Sequence, residues 1–248
     1  MSNDSGNKVG RREFMGAAAG FMIVKPQLVR GTAANSALRV GLLGCGGRGT
    51  ADTTYLIETG KTRLVALADL FQDKLDKAKA HFDKLQQGKG FAPIESSLMF
   101  RGPKAYEQMA NSKEVDVIVI TTPPYFHPRH LDAVVTAGKH VYCEKPVSVD
   151  PRGCTWVLDS GRRAQGRLSL EVGFQLRNAP PYVEQVKRIH AGALWNIVSG
   201  AAHYFSAYIQ RPEWPGVSLD ERRIRNWVHY RILSGDIIVE QNIHVIDI

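Results

Sequence analysis

The tightest constraint on this chain is an apolar run, Leu38-Arg39-Val40-Gly41-Leu42-Leu43, that leads directly into Gly44-Cys45-Gly46-Gly47-Arg48-Gly49. Such a run reads as a buried strand. The glycine pattern G-x-G-x-x-G then serves three needs in order: a tight turn, close approach of backbone to a ligand, and close packing of the next helix on the strand. A helix expected over residues 50–58 would aim its free N–H groups and positive dipole end at that turn, which suits a phosphate. Glycine-rich turns arise for many reasons, so the motif needs its context.

A second run, Arg63-Leu64-Val65-Ala66-Leu67-Ala68, ends at Asp69. An acid at the end of a second strand can accept hydrogen bonds from the ribose hydroxyls of a dinucleotide. The other reading of Asp69 is a helix cap. Leu70 and Phe71 follow, where an arginine would have welcomed a 2′-phosphate; this favours NAD, and Lys74 keeps NADP open.

The alternation continues with helical spacing over residues 72–85 and 104–111, then a buried strand Val115-Asp116-Val117-Ile118-Val119-Ile120. Thr121-Thr122-Pro123-Pro124 breaks the strand, a helix is expected over 128–137, and Gly138 stops it. His140-Val141-Tyr142-Cys143 reads as the next strand, 151–165 as a helix and 168–174 as the last strand. Strands alternating with helices imply an α/β fold, a Rossmann-type doubly wound parallel sheet. Ligands of such sheets sit beyond the strand carboxyl ends, where the glycine turn, Thr122-Pro123-Pro124 and Glu144-Lys145-Pro146 all fall.

Composition excludes some classes. The formal charge is +8, of which +3 sits near the start, where Lys8, Arg11, Arg12, Lys25 and Arg30 outweigh Asp4 and Glu13, and the other basic residues are scattered. No basic run with interleaved aromatics marks a nucleic-acid partner. Cys45, Cys143 and Cys154 show no metal-ligand spacing and read as free thiols, so no metal site is expected. No stretch reaches the ~18 apolar residues of a membrane span. Arg11-Arg12 before a modest apolar run at 15–24, with Thr32-Ala33-Ala34 beyond it, has the three parts of a secretory signal. The arginine pair followed by Phe14 resembles the twin-arginine type, which exports folded proteins. Residues 1–34 are therefore read as a signal for the twin-arginine (Tat) export machinery, with a periplasmic or other extracytoplasmic destination; the alternative is a disordered basic N-terminus.

Glu144-Lys145-Pro146 after a late strand, with the glycine turn before it and Gly173-Phe174-Gln175 after it, resembles the glucose–fructose oxidoreductase/inositol dehydrogenase family, in its exported, twin-arginine branch. The resemblance covers roughly residues 38–248. It implies an NAD(P)-binding Rossmann domain over 35–174 and the start of an α+β substrate domain over 175–248; within the latter, residues 181–190 read as a helix and the alternation over 196–208 reads as a strand. It further implies that Lys145 lies beside the nicotinamide and holds the substrate hydroxyl, with Glu144 and Pro146 shaping its turn. His127 resembles a family position near the cofactor; a structural ring is the alternative.

A second family motif is a glycine-rich turn leading to a helix with an aspartate and, four residues on, a histidine. Ser234-Gly235-Asp236-Ile237-Ile238-Val239-Glu240-Gln241-Asn242-Ile243-His244 aligns with it, with Glu240 at the aspartate and His244 at the histidine. A spacing of four puts both on one helical face. Glu240 for aspartate and Asn242 for glycine depart from the pattern and bear on the substrate. The resemblance implies catalytic roles for Lys145, His244 and Glu240, and cofactor contacts from Gly44, Gly46, Gly47, Arg48, Gly49, Asp69, Thr122, Pro123, His127, Glu144 and Lys145. Trp214 and Trp227 could face a sugar ring, or belong to a core. Hydride transfer between a sugar or cyclitol hydroxyl carbon and nicotinamide is the expected chemistry. A glycoside hydrolase using bound NAD transiently, and an inactive dinucleotide-binding remnant, are the alternatives. Relatives continue with further strands that often form a subunit interface, so the chain is expected to be a fragment of a homo-oligomeric protein.

Overall fold

The computed structural model describes residues 36–248; the twin-arginine segment lies outside them. Each strand is short and apolar. β1 (Leu38–Leu43) leads through the glycine turn to α1 (Gly47–Glu58), then β2 (Thr62–Asp69) and α2 (Gln72–Gln87). β3 (Met99–Arg101), α3 (Ala105–Ala110), β4 (Val117–Ile120), α4 (His127–Thr136), β5 (His140–Glu144), α5 (Pro151–Ala164) and β6 (Leu170–Gly173) follow. The six strands form one sheet in the order β3-β2-β1-β4-β5-β6, every neighbouring pair parallel.

Both faces of the sheet are covered, which is why its strands are nearly continuous in apolar residues rather than alternating. Leu43, Ala66, Ala68, Ile118, Ile120 and Cys143 face α3, α4 and α5, packing with Met109, Leu131, Val134 and Val157. Leu42, Leu64, Leu67 and Val119 face the other way, onto Ile57, Leu75 and Phe82 of α1 and α2. At the strand starts, Asp116 accepts from the backbone N–H and side chain of Arg39, tying the entries of β1 and β4 together. Asp150 caps α5 by accepting from Gly153 N at 2.7 Å.

Strands β1, β2, β4, β5 and β6 and the helices after them fall where the sequence places them, within a few residues. β3 was not anticipated. Its three residues at the sheet edge carry too little periodicity to stand out from the preceding loop.

Beyond the sheet come α6 (Pro180–His190), α7 (Leu219–Arg225), α8 (Arg231–Ser234), α9 (Asp236–Glu240) and α10 (Ile243–Ile246). Two expectations fail here. Residues 196–208 form no strand: among the described residues no strand lies beside them to complete a hydrogen-bond ladder, and Val198 and Phe205 stand more than nine-tenths exposed. The single helix expected across Glu240 and His244 is two. Gln241 N and Asn242 N both donate to Ile237 O, so the i→i+4 ladder loses its register between α9 and α10.

The sheet order reverses between β1 and β4, and the chain crosses that point with Gly44 at φ +99°. A Cβ on Gly44 would stand 2.7 Å from Thr121 C and Thr122 N, backbone atoms that cannot swing aside. Gly44→Ala should lower the unfolding free energy by about 2–4 kcal/mol in urea titrations; an unchanged midpoint would show that the β1–β4 junction yields.

Candidate active site

The glycine turn is built as its spacing required. Gly44 N donates to Ala68 O, and Thr121 Oγ1 donates to Gly44 O at 2.7 Å, pinning β1, β2 and β4 at their carboxyl ends. A Cβ on Gly49 would collide with Thr121 Oγ1 and Gly44 O, so this glycine lets α1 close on the turn. A Cβ on Gly46 or Gly47 would meet nothing within 4 Å, because both line a cleft of about 460 Å³. Gly46 caps α1 with no side chain on its first N–H groups, leaving them to an anion.

Asp69 lines the same cleft. Its Oδ2 accepts from Cys45 N at 2.7 Å and its Oδ1 from Phe71 N at 2.9 Å, which holds the carboxylate at the mouth; burial still raises its pKa. Thr122 and Pro123 form part of the opposite wall. An open glycine cradle, a helix start and a fixed acid at the rim fit the pyrophosphate and adenosine ribose of a dinucleotide.

Sequence reasoning missed a second wall. Ile224, Arg225 and Trp227 line this cleft from the far end of the chain. Arg225 stacks over Phe71 at 3.9 Å and over Trp214 at 4.6 Å, and it pairs with Asp73 at 2.7 Å and with Glu221 at 2.8 Å. An arginine therefore does reach the segment after Asp69, but two carboxylates already neutralise it. Trp214 and Trp227 belong to the cleft and its arginine stack. Cation–π pairs so far apart in sequence leave no signal in local spacing.

Five expected cofactor residues do not line this cleft: Arg48, Gly49, His127, Glu144 and Lys145. Arg48 pairs with Asp52 at 3.4 Å. Glu144 lies behind Lys145, with its Oε2 accepting from Lys145 N at 3.2 Å. His127 is fully buried, its Nδ1 2.7 Å from Pro146 O and its Nε2 2.6 Å from Thr122 O. It braces the Glu144-Lys145-Pro146 turn against the Thr122-Pro123 loop.

The carboxyl end of β5 carries a second cluster. Lys145 Nζ donates to Glu240 Oε1 at 3.0 Å, with both side chains nearly sealed from solvent. His244 is buried beside them, its ring 5.3 Å from that of Tyr204, and its Nδ1 has no partner among the described residues. Burial, then the Lys145 charge, lower its pKa and keep the ring neutral. Lys145, Glu240 and His244 thus meet as expected, although by way of a broken helix.

The His127 brace has a pH signature. Two facing carbonyls favour a protonated ring, but burial outweighs them and lowers the pKa to about 4. Below an unfolded-state pKa of about 6.5, the unfolded chain binds the proton first. The ring's contribution is complete above that pH and is lost as pH falls toward 4, by about 3 kcal/mol. His130, lowered to about 3 by burial, adds to the same slope. His127→Asn should flatten stability between about pH 6.5 and 4 in urea titrations; an unchanged slope would assign the acid sensitivity elsewhere.

The chain is 31% identical over 157 residues to an inositol 2-dehydrogenase/D-chiro-inositol 3-dehydrogenase of Lactiplantibacillus plantarum, covering 63% of this chain and 41% of that protein. It is 31% identical over 173 residues to a glycosyl hydrolase family 109 protein of Solibacter usitatus, covering 68% and 37%. The chain thus spans about two fifths of the length of these relatives. The crystal structure of an aldose-aldose oxidoreductase from Caulobacter crescentus shares the fold, with a TM-score of 0.64 at 20% identity over 84% of this chain and 55% of that one. Residues 38–172 match the Gfo/Idh/MocA oxidoreductase family with its NAD-binding Rossmann fold, and the chain belongs to that family.

Proposed function

We propose that this protein is an NAD-dependent oxidoreductase acting on a hydroxyl of a sugar or cyclitol. The observation that carries the reading is Lys145, ion-paired to Glu240 and beside His244, at the same sheet edge as the open glycine cradle. The inositol dehydrogenase relative supports the substrate class.

Bound NAD supplies the hydride acceptor. Gly44, Gly46, Gly47 and Gly49 shape the turn that receives the pyrophosphate, Asp69 accepts from the ribose hydroxyls, and Thr122 and Pro123 wall the cleft. Lys145, an ammonium held in place by Glu240, donates to the substrate hydroxyl and favours loss of its proton. His244 takes that proton on a ring nitrogen that burial and Lys145 keep unprotonated. Glu240 has one oxygen on Lys145 and the other on Gln241 Nε2, so its role is to aim the lysine rather than to bind the sugar directly. Arg225, neutralised by Asp73 and Glu221, offers no free charge to a 2′-phosphate, which favours NAD over NADP. Lys145→Ala should reduce turnover by about 10²–10⁴-fold with NADH binding, read by fluorescence titration, retained; undiminished turnover would remove Lys145 from the chemistry.

A second reading has its own support in the glycosyl hydrolase family 109 relative. Transient oxidation of a sugar hydroxyl acidifies a neighbouring C–H and permits elimination of the aglycone before water adds, so the cofactor is recycled in place. Glycoside cleavage without net NADH formation would establish it over net oxidation. Export belongs to the proposal as well. Arg11 and Arg12 would direct the folded protein through the twin-arginine machinery, and a homo-oligomer is the assembly we expect. A reporter fused after residue 34 should leave the cytoplasm, and Arg11→Lys with Arg12→Lys should retain it there; equal export of both would end that reading.

A further inference from the structure

The second half of the chain is fastened to the rim of the nucleotide cleft at two places, by different means. On the β4 side, α8 packs on the turn Pro124–Phe126, and its Leu233 and Ser234 are buried. On the β2 side the fastening is one side chain, Arg225 at the end of α7. Its guanidinium lies over the Phe71 ring at 3.9 Å and the Trp214 ring at 4.6 Å. Its two terminal nitrogens donate to the two oxygens of Asp73 at 3.0 and 2.7 Å, and its Nε donates to Glu221 Oε1 at 2.8 Å. Ile224, Arg225 and Trp227 line the cleft together with Gly46, Gly47 and Asp69.

The segment is tied into one piece around that arginine. Asn226 is buried, donates from Nδ2 to Pro212 O at 3.0 Å and accepts from Trp214 Nε1 at 3.4 Å. Trp214, Ile224, Arg225 and Trp227 therefore hold their places relative to one another. The Arg225 contacts call for a guanidinium, because a flat fork can stack on two rings and still meet a carboxylate with two bonds. The two fastenings respond differently to salt. Apolar packing at Leu233 is not screened, whereas the Arg225 side chain is 8% exposed but pairs with Asp73, which is 55% exposed. Mobile ions reach that carboxylate and weaken the pair. The Arg225 end is thus the one that lets go first.

We propose that Arg225 is the catch of a strap over the nucleotide cleft, which sets Ile224 and Trp227 against the bound dinucleotide and limits how fast it leaves. The proposal rests on the dinucleotide reading of the cleft. Arg225 is a positioning residue in this scheme. Its charge is spent on Asp73 and Glu221 and its faces on Phe71 and Trp214, so it acts on the ligand by holding the wall in place. Loosening the catch should speed departure more than it alters arrival, as interface changes generally do.

The test follows NADH release from the full chain. Bound NADH is displaced by excess NAD in a stopped-flow fluorimeter, and the fall in NADH fluorescence gives the rate. Arg225→Met should speed release by about 10-fold or more, since both the stacking and the ion pairs are lost. Arg225→Lys keeps the charge but loses the flat fork, and should release NADH nearly as fast as Arg225→Met. Asp73→Asn leaves the stacking intact and should fall between wild type and Arg225→Met. Because Asp73 is largely exposed, that variant tests the catch even if Arg225→Met does not fold. Raising salt from about 0.05 M to about 0.5 M should speed release from wild type more than from Asp73→Asn. Wild-type release rates in the folded variants would overturn the strap, and a lowered urea midpoint with unchanged release would leave Arg225 a purely structural role. If wild type binds no NADH, the dinucleotide reading falls and the strap with it; NADH bound but released at one common rate overturns the strap alone.

Discussion

The structure depends on a close backbone approach at one corner, where Gly44 turns against Thr121. The order of a doubly wound sheet reverses there, and the helices after the two diverging strands lie on opposite faces, leaving a crevice. Gly44 allows β1 to leave the sheet in a left-handed conformation, and Gly49 allows α1 to close behind it. Any side chain at either position would push Thr121 outward and widen the opening that Gly46 and Gly47 line. The cleft is therefore a consequence of how two strands and a helix are joined, and the ligand's chemistry is met mostly by backbone.

Charge is handled differently at the two ends of this sheet edge. At the adenosine end, two backbone N–H groups hold the Asp69 carboxylate while burial raises its pKa, and Arg225 is neutralised locally by Asp73 and Glu221. At the β5 end, Lys145 and Glu240 are almost wholly removed from water. Breaking such a pair by removing one partner leaves an uncompensated buried charge, which is more costly than the net gain from forming it. That imbalance keeps Lys145 at a defined place beside His244. His127 supports the same turn from behind through two carbonyls, so the residue that looked like a cofactor neighbour acts as a brace.

The second half of the described chain contributes through single contacts more than through a core. Ile224, Arg225 and Trp227 wall the nucleotide cleft and Glu240 reaches Lys145, while residues 196–208 carry no regular secondary structure and are largely exposed. The break between α9 and α10 is compatible with this arrangement. Glu240 ends one short helix and pairs with Lys145, while His244 lies buried in the next.

The sequence alone determined the alternation of strands and helices, the glycine turn, Asp69 at the second strand end and Lys145 after the fifth. Those features are local: apolar runs, glycines with required backbone conformations, and short spacings. The tertiary structure decided what depends on residues far apart in the chain. It placed Arg225 between Phe71 and Trp214, paired Arg48 with Asp52, and buried His127 between two carbonyls. Whether an arginine meets a phosphate or a carboxylate, and whether a carboxyl keeps its proton, is fixed by burial and by neighbours brought together through folding. Periodicity within one segment does not encode those distances.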